Sequence, residues 1–198
     1  MYPSLFLRIM EKPLLSATTR AVFFTEAPTY DKKYKGGDTA KYISVDRLFE
    51  FEFHDAEMVL DKFDDHQLTV IVRYLNIHKD AEQNPFETDM EIESARITFE
   101  GFDIISYEPG RTWQKDEEGS LYSDEPQVIL SGDDAHYRFL EQLKTRITIY
   151  YFDINEGKTY FIDAMAKDPF FTVCVAFDRA TVEWDNYKQE AWYTLWKR

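Results

Sequence analysis

His54 and Asp55 stand side by side, and an imidazole next to a carboxylate is a pairing that metal-dependent phosphoester hydrolysis can use. Such a centre needs three or more ligands converging on one ion. Here the pair lies between two β-like runs, Phe49–Phe53 and Met58–Leu60, and alternation along a strand sends neighbouring side chains to opposite faces. The pair therefore reads as a turn or strand start with one side chain bonded to backbone. His54, His66, His78 and His136 have no cysteine nearby and no zinc-ligand spacing. Asp64-Asp65-His66 reads as a polar hairpin tip. Asp153-x-Asn155-x-Gly157 opens like a calcium loop, but the last loop position, where a bidentate Glu is required, is Ala164. A hairpin turn over Asp153–Lys158 is the better reading.

Nucleophile signatures are missing. There is no G-x-S-x-G, and Cys174, the sole cysteine, sits inside an alternating apolar run as a small core residue would. Phosphate-cradling GxxxxGK[ST] and GxGxxG loops are absent from a chain with only 7 glycines. Carboxylates are so frequent that a glycosidase dyad could be drawn almost anywhere, and sequence does not give the separation that defines one. The expectation is no catalytic set, no metal site and no cofactor. One cysteine also excludes an intrachain disulfide and favours a reducing compartment.

The elements that would position any site are mostly strands. Leu68, Val70, Val72 and Tyr74 share one face of an alternating run; so do Ala95, Ile97 and Phe99, and Phe171, Val173, Val175 and Phe177. This period-two pattern in β-branched and aromatic residues predicts half-buried antiparallel strands. Further strands are expected at 20–25, 49–53, 57–61, 102–107, 127–130, 146–153, 158–164, 180–184 and 190–195. Lys167-Asp168-Pro169 predicts a turn, and Glu100-Gly101 a strand connection or a bulge. One helix is expected at about 133–143, with Ser131 and Asp134 as a capping box and Phe139, Leu140 and Leu143 as its apolar stripe. Residues 29–41 and 108–125 read as exposed loops. The fold class is mainly β: an antiparallel sandwich or two packed sheets with about one short helix, in a single β-rich domain over 1–198. A weak repeat at an offset of 79 sets Asp55-Ala56 against Asp134-Ala135 and Leu68-Thr69-Val70 against Ile147-Thr148-Ile149. It suggests two similar halves, 49–108 and 128–185.

The 198 residues carry 23 Lys+Arg against 37 Asp+Glu, a formal charge of −14, with 44% hydrophobic residues. The hydrophobic share is that of a chain that folds. The 16 Phe, 13 Tyr and 4 Trp are enough for a substantial core. All the acid excess lies in residues 51–142, which hold 23 acidic and 7 basic side chains. Its densest parts are 80–93 and 116–125. Such a balance repels phosphate and argues against direct nucleic-acid binding. Leu5-Phe6-Leu7 ends at Arg8, far short of the roughly 7–15 apolar residues of a secretory leader. No run approaches the ~18 of a membrane span, so no membrane role is expected and the default location is the cytoplasm.

Phe53-His54-Asp55-Ala56, Leu68-Thr-Val-Ile-Val-Arg-Tyr74 and Ala95-Arg-Ile-Thr-Phe-Glu-Gly-Phe102 together resemble an arrangement found in small bacterial β-sheet proteins of the polymorphic-toxin immunity type. The resemblance covers about residues 49–108. It implies a cytoplasmic β protein that binds another protein, and names no partner. The functional expectation is non-catalytic binding of a protein with a basic surface, such as a toxin. The binding residues would be Glu87, Asp89, Glu91, Glu93, Asp116, Glu117 and Glu118, with Arg111 and Trp113 as an aromatic anchor in the acidic loop. The acids are expected to be exposed and unpaired, with Ile92 turned inward between Glu91 and Glu93. The alternative is a ligand-binding or enzymatic β-sandwich with a Tyr- and Trp-lined cleft, carbohydrate being one candidate ligand. A third is an acidic nucleic-acid mimic that inhibits a DNA-binding or phage-defence protein.

Overall fold

The computed structural model describes residues 40–153, 159–168 and 170–197, with side chains up to Thr194. The strand expected at 20–25, all but the end of the loop at 29–41, and residues 154–158 of the Asp153–Lys158 turn lie outside the described residues. In chain order the strands are β1 (Tyr42–Val45), β2 (Phe51–Glu52), β3 (Glu57–Asp64), β4 (Gln67–Arg73), β5 (Asn76–Ile77), β6 (Met90–Ile92), β7 (Ala95–Glu100) and β8 (Asp103–Pro109). There follow β9 (Gln114–Lys115), β10 (Leu121–Tyr122), the helix α1 (Gly132–Lys144), β11 (Ile147–Asp153), β12 (Tyr160–Met165), β13 (Phe171–Ala176), β14 (Arg179–Trp184) and β15 (Tyr187–Glu190). The fold is mainly β, as the alternation predicts, with packed antiparallel sheets and a single α-helix among the described residues.

The large sheet runs β1-β14-β7-β4-β3-β11-β12-β13-β8. Its connections force it to fold back on itself. β7 and β8 stand six places apart in that order, yet only Gly101 and Phe102 join them. Six strand spacings span about 29 Å, whereas three Cα steps reach at most about 11 Å. The same holds for β13 and β14, joined by Phe177 and Asp178. The two corners meet: the Asp178 N–H donates to the Glu100 carbonyl at 2.8 Å. Gly101 has φ +65, and a Cβ there would lie 2.2 Å from an Asp178 carboxylate oxygen. The left-handed φ calls for glycine there, and any side chain would also have to displace the Asp178 carboxylate. The Glu100-Gly101 step is therefore a corner between strands that are not hydrogen-bonded neighbours.

Folding back gives the apolar face something to cover. Leu68 pairs with Phe99 and Phe99 with Ala180; Val70 with Ile97 and Ile97 with Val182; Val72 with Ala95 and Ala95 with Trp184. All of these are buried, together with Met58, Ile147, Ile149, Ile162, Val173, Val175 and Ile104 from the other strands. Phe177, expected in this core, is only partly buried and stacks on Tyr160 at 4.2 Å. Helix α1 buries Ala135, Phe139 and Leu143, spaced by four so that they share one face, and packs on β3 and β8. Ser131 is extended at its N-cap, but its side chain makes no capping bond, so the expected capping box does not form. The helix ends where Arg146 enters the left-handed region at φ 71; its guanidinium holds Glu57 of β3 at 2.8 Å.

Asp168, which follows β12, is held from both sides. The hydroxyl of fully buried Tyr107 donates to Asp168 at 2.6 Å, and Arg138 of α1 donates through Nε to the same oxygen at 3.0 Å. The Asp168 N–H donates to Gln142 at 3.1 Å. Burial first, and then the Asp168 carboxylate, hold the Tyr107 phenol well above its ordinary pKa.

A second sheet runs β15-β6-β5-β2. Tyr42, Phe51, Trp184 and Tyr187 join it to the large one, with Tyr42 stacked on Trp184 at 5.4 Å and Phe51 edge-on to Trp184 at 5.7 Å. Three expected strands differ. Residues 48–50 make a 3-10 turn before the short β2. Residues 127–130 keep only the bridge between Leu130 and Tyr107. The chain after β15 winds into a 3-10 turn over Trp192–Lys197 instead of a strand at 190–195. Asp64-Asp65-His66 is the β3–β4 hairpin tip; Asp65 and His66 take φ 44 and 60, the two left-handed residues of a primed turn. The offset of 79 sets β4 against β11, while the sheet centre pairs β11 with β3; Asp55-Ala56 opens a strand and Asp134-Ala135 lies in α1.

Candidate functional site

The acidic residues fall into two groups with different fates. In the first, Glu87 and Glu93 are exposed, but Glu91 is 4% exposed in β6, the strand between β5 and β15. Its carboxylate takes Lys188 Nζ at 2.7 Å and Gln189 Nε2 at 2.6 Å from β15. Glu91 is thus a buried, paired anchor and not a free docking charge. Ile92 beside it is buried too, so the expected in-and-out alternation fails: both faces of β6 are covered. Asp89 is half-buried. It accepts the Lys79 N–H at 2.7 Å and lies 3.6 Å from His78 Nδ1. Burial alone would raise this carboxyl, but the Lys79 amide, the Tyr193 hydroxyl and His78 together hold it below the ordinary carboxylate value.

The second group sits on an arm that leaves β8. Its base is fixed where the Gly110 N–H donates to the Phe170 carbonyl at 2.6 Å; a Cβ at Gly110 would fall 2.3 Å from that oxygen. β9 and β10 form a two-stranded hairpin in what reads from sequence as plain loop. Asp116 shapes its tip by accepting the N–H groups of Glu118 at 3.0 Å and Ser120 at 2.7 Å. Glu125 accepts the Thr112 N–H at 2.9 Å, which lowers its pKa. Glu117 and Glu118 project from the tip, exposed, with no side-chain hydrogen bond or ion pair among the described residues. The Arg111 guanidinium lies over the Trp113 ring, 4.9 Å from its centroid, and Trp113 is 45% exposed. No hydrogen bond or ion pair among the described residues joins this arm to the Glu87–Glu93 group.

A cleft of about 830 Å³ is present, lined by Tyr and Trp; sequence reasoning carried such a cleft only as an alternative and did not place it. The 49–54 segment, His78, Asp89, residues 150–153 of β11, Trp192 and Tyr193 line it. A bulge at Tyr150 resets the β11 register, so that Tyr150 and Tyr151 are exposed while Ile149 and Phe152 are buried. Bulges re-aim side chains in this way beside functional sites. Phe49, Tyr151 and Trp192 are 64%, 53% and 41% exposed. Tyr193 is among the lining residues; burial and then its hydrogen bond to Asp89 raise its phenol pKa strongly. Glu52, Asp89 and Asp153 supply carboxylates, and no Lys or Arg is among the described residues that line the cleft.

His54 stands at the rim, 3.2 Å from Asp55 and 6.3 Å ring to ring from Trp192. Asp55 has φ 66 and its N–H donates to Ile149, so the His-Asp step is a turn docked on β11. No group of three or more His, Cys, Asp or Glu among the described residues is placed to hold a metal ion. Cys174 is buried, and burial raises its thiol pKa. No helix among the described residues is long and apolar enough to cross a membrane. The comparisons with protein-family models, curated proteins and solved structures found nothing that matches this chain.

Proposed function

We propose that this chain is a non-catalytic, cytoplasmic protein-binding protein that captures a partner with a basic surface, as an immunity protein captures a nuclease-type toxin. The observation that supports this reading is the 110–125 arm. It carries Glu117 and Glu118, which are exposed and make no side-chain hydrogen bond or ion pair among the described residues, and an exposed Trp113. Acidic charge around an aromatic anchor suits docking on a basic face: charge speeds encounter, and the ring supplies contact area once docked. Asp116 and Glu125 spend their carboxylates on the arm's own backbone, which holds the free charges in place. Capture from a lysate of the native host tests it, using the native chain and a chain carrying Trp113→Ala, Glu117→Lys and Glu118→Lys. The reading expects a basic protein retained by the first and lost from the second. Retention of the same partner by both chains contradicts it.

The aromatic cleft favours a second reading, a ligand-binding β-sandwich. A cleft of about 830 Å³ lined by Tyr and Trp falls within the size range of small-molecule sites. A saturable response of the cleft to neutral sugars would favour this reading over the first.

A further inference from the structure

We propose that the cleft between the 49–54 segment, β11 and the C-terminal 3-10 turn is the seat for an arginine side chain of that basic partner. This rests on the protein-binding reading above and assigns the cleft a part in it. The argument is charge and surface chemistry together. The walls present exposed rings at Tyr151 and Trp192 and the negative field of Glu52, Asp89 and Asp153, with no Lys or Arg among the described lining residues. Aromatic faces attract cations through the ring quadrupole, and carboxylates add to the same field. An anionic occupant would be repelled by the acids, and a neutral one would lack the charge attraction to rings and carboxylates that a cation has.

A guanidinium fits this better than an ammonium. It is planar, stacks on rings, and presents a fork of donors to carboxylate oxygens while staying weakly hydrated. Among the described residues both kinds of cation lie over rings: Arg111 over Trp113 at 4.9 Å and Arg47 over Phe49 at 5.8 Å, Lys41 over Tyr42 and Lys188 over Tyr74 at 4.9 Å. The preference for arginine therefore rests on the planar donor fork that carboxylates can accept. Arg47 engages Phe49, which leaves Tyr151 and Trp192 as the rings available to a partner's side chain. The Tyr150 bulge is what turns Tyr151 outward, so the β11 irregularity and the cleft belong together.

The test uses the full chain and two tripeptides, acetyl-Gly-Arg-Gly-amide and its citrulline counterpart, which keeps the shape and removes the charge. Ring-proton and indole NMR signals are followed during titration. The expected result is saturable shifts at Trp192 and Tyr151, with the citrulline peptide weaker by about tenfold. Trp192→Ala with Tyr151→Ala should abolish the shifts. Both rings are partly exposed, so folding should survive, and circular dichroism checks this. Glu117→Lys with Glu118→Lys should leave the shifts in place. Equal response to citrulline, no response at the cleft, or stronger shifts with a neutral disaccharide such as maltose would overturn the inference. Shifts confined to Trp113 and lost on the arm reversal would overturn it too, while leaving the acidic-arm reading standing.

Discussion

Replacing Asp168 with Ala removes the acceptor on which three elements meet. The Tyr107 hydroxyl, bonded at 2.6 Å inside the fold, loses its partner, and an unsatisfied buried hydroxyl costs about 1–3 kcal/mol. Arg138 loses the same carboxylate, but its side chain is 45% exposed, so that pair adds only about 0–1 kcal/mol. The total is about 1–4 kcal/mol, which at about 2–4 °C per kcal/mol for a chain of this size lowers the Tm by roughly 2–16 °C. The Asp168 N–H to Gln142 is backbone and survives the change. The double variant Tyr107→Phe with Asp168→Ala removes donor and acceptor together. It should therefore recover about 1–2 kcal/mol relative to Asp168→Ala alone. Urea unfolding of the native chain, both single variants and the double variant gives the cycle directly. A double variant no more stable than Asp168→Ala, or a single variant within about 0.5 kcal/mol of native, would refute the view that Asp168 matters through Tyr107.

Alkaline stability follows from the phenols. Tyr187 is pushed up to about 12, mainly by burial, and Tyr107 and Tyr193 are also raised. A raised folded pKa means that the native state keeps its proton where the unfolded chain has lost it. The contribution is whole below the ordinary tyrosine value of about 10 and disappears as pH climbs through the folded values. The Tm should hold to about pH 9 and fall beyond pH 10; a rise there contradicts the assignment. Glu91→Lys should destabilise the small sheet by about 3–5 kcal/mol, because it puts an unpaired cation at a buried position and sets it against the half-exposed Lys188. Glu117→Lys with Glu118→Lys should leave the urea midpoint within about 0.5 kcal/mol of native. Phe99→Ala should cost about 3–5 kcal/mol, since the ring is 2% exposed and packs 4.9 Å from Phe177. Cys174 should react with a thiol reagent only as fast as the chain unfolds, and rapid labelling of the native state would count against its placement in β13.

The strands that face one core were legible because burial on one side writes a period of two into the residues. Leu68, Val70 and Val72, or Ala95, Ile97 and Phe99, say which face is inward without any neighbour being known. Glu91 was misread for the complementary reason. Both faces of β6 are covered, and the cation that makes this tolerable, Lys188, stands 97 residues away. The 190–195 run has the aromatic composition of a strand, but no strand receives it, and it closes into a 3-10 turn. A Tyr- and Trp-lined cleft could be imagined from composition, but its place could not be read from the sequence. Its walls come from residues 49–54, 78, 89, 150–153 and 192–193, and they meet only through the fold. The paired aromatics Tyr150-Tyr151 were visible as letters, but the bulge that exposes both depends on the register against β12.

The central claim is that the projecting arm captures a basic partner by charge. The most direct measurement is the association rate with the captured partner as a function of salt, for the native chain and for Glu117→Lys with Glu118→Lys. The account predicts a rate that falls steeply with ionic strength for the native chain, and a slower, flatter dependence for the reversed one. Equal rates for the two chains at low salt would contradict it and leave the arm's acidity a matter of solubility.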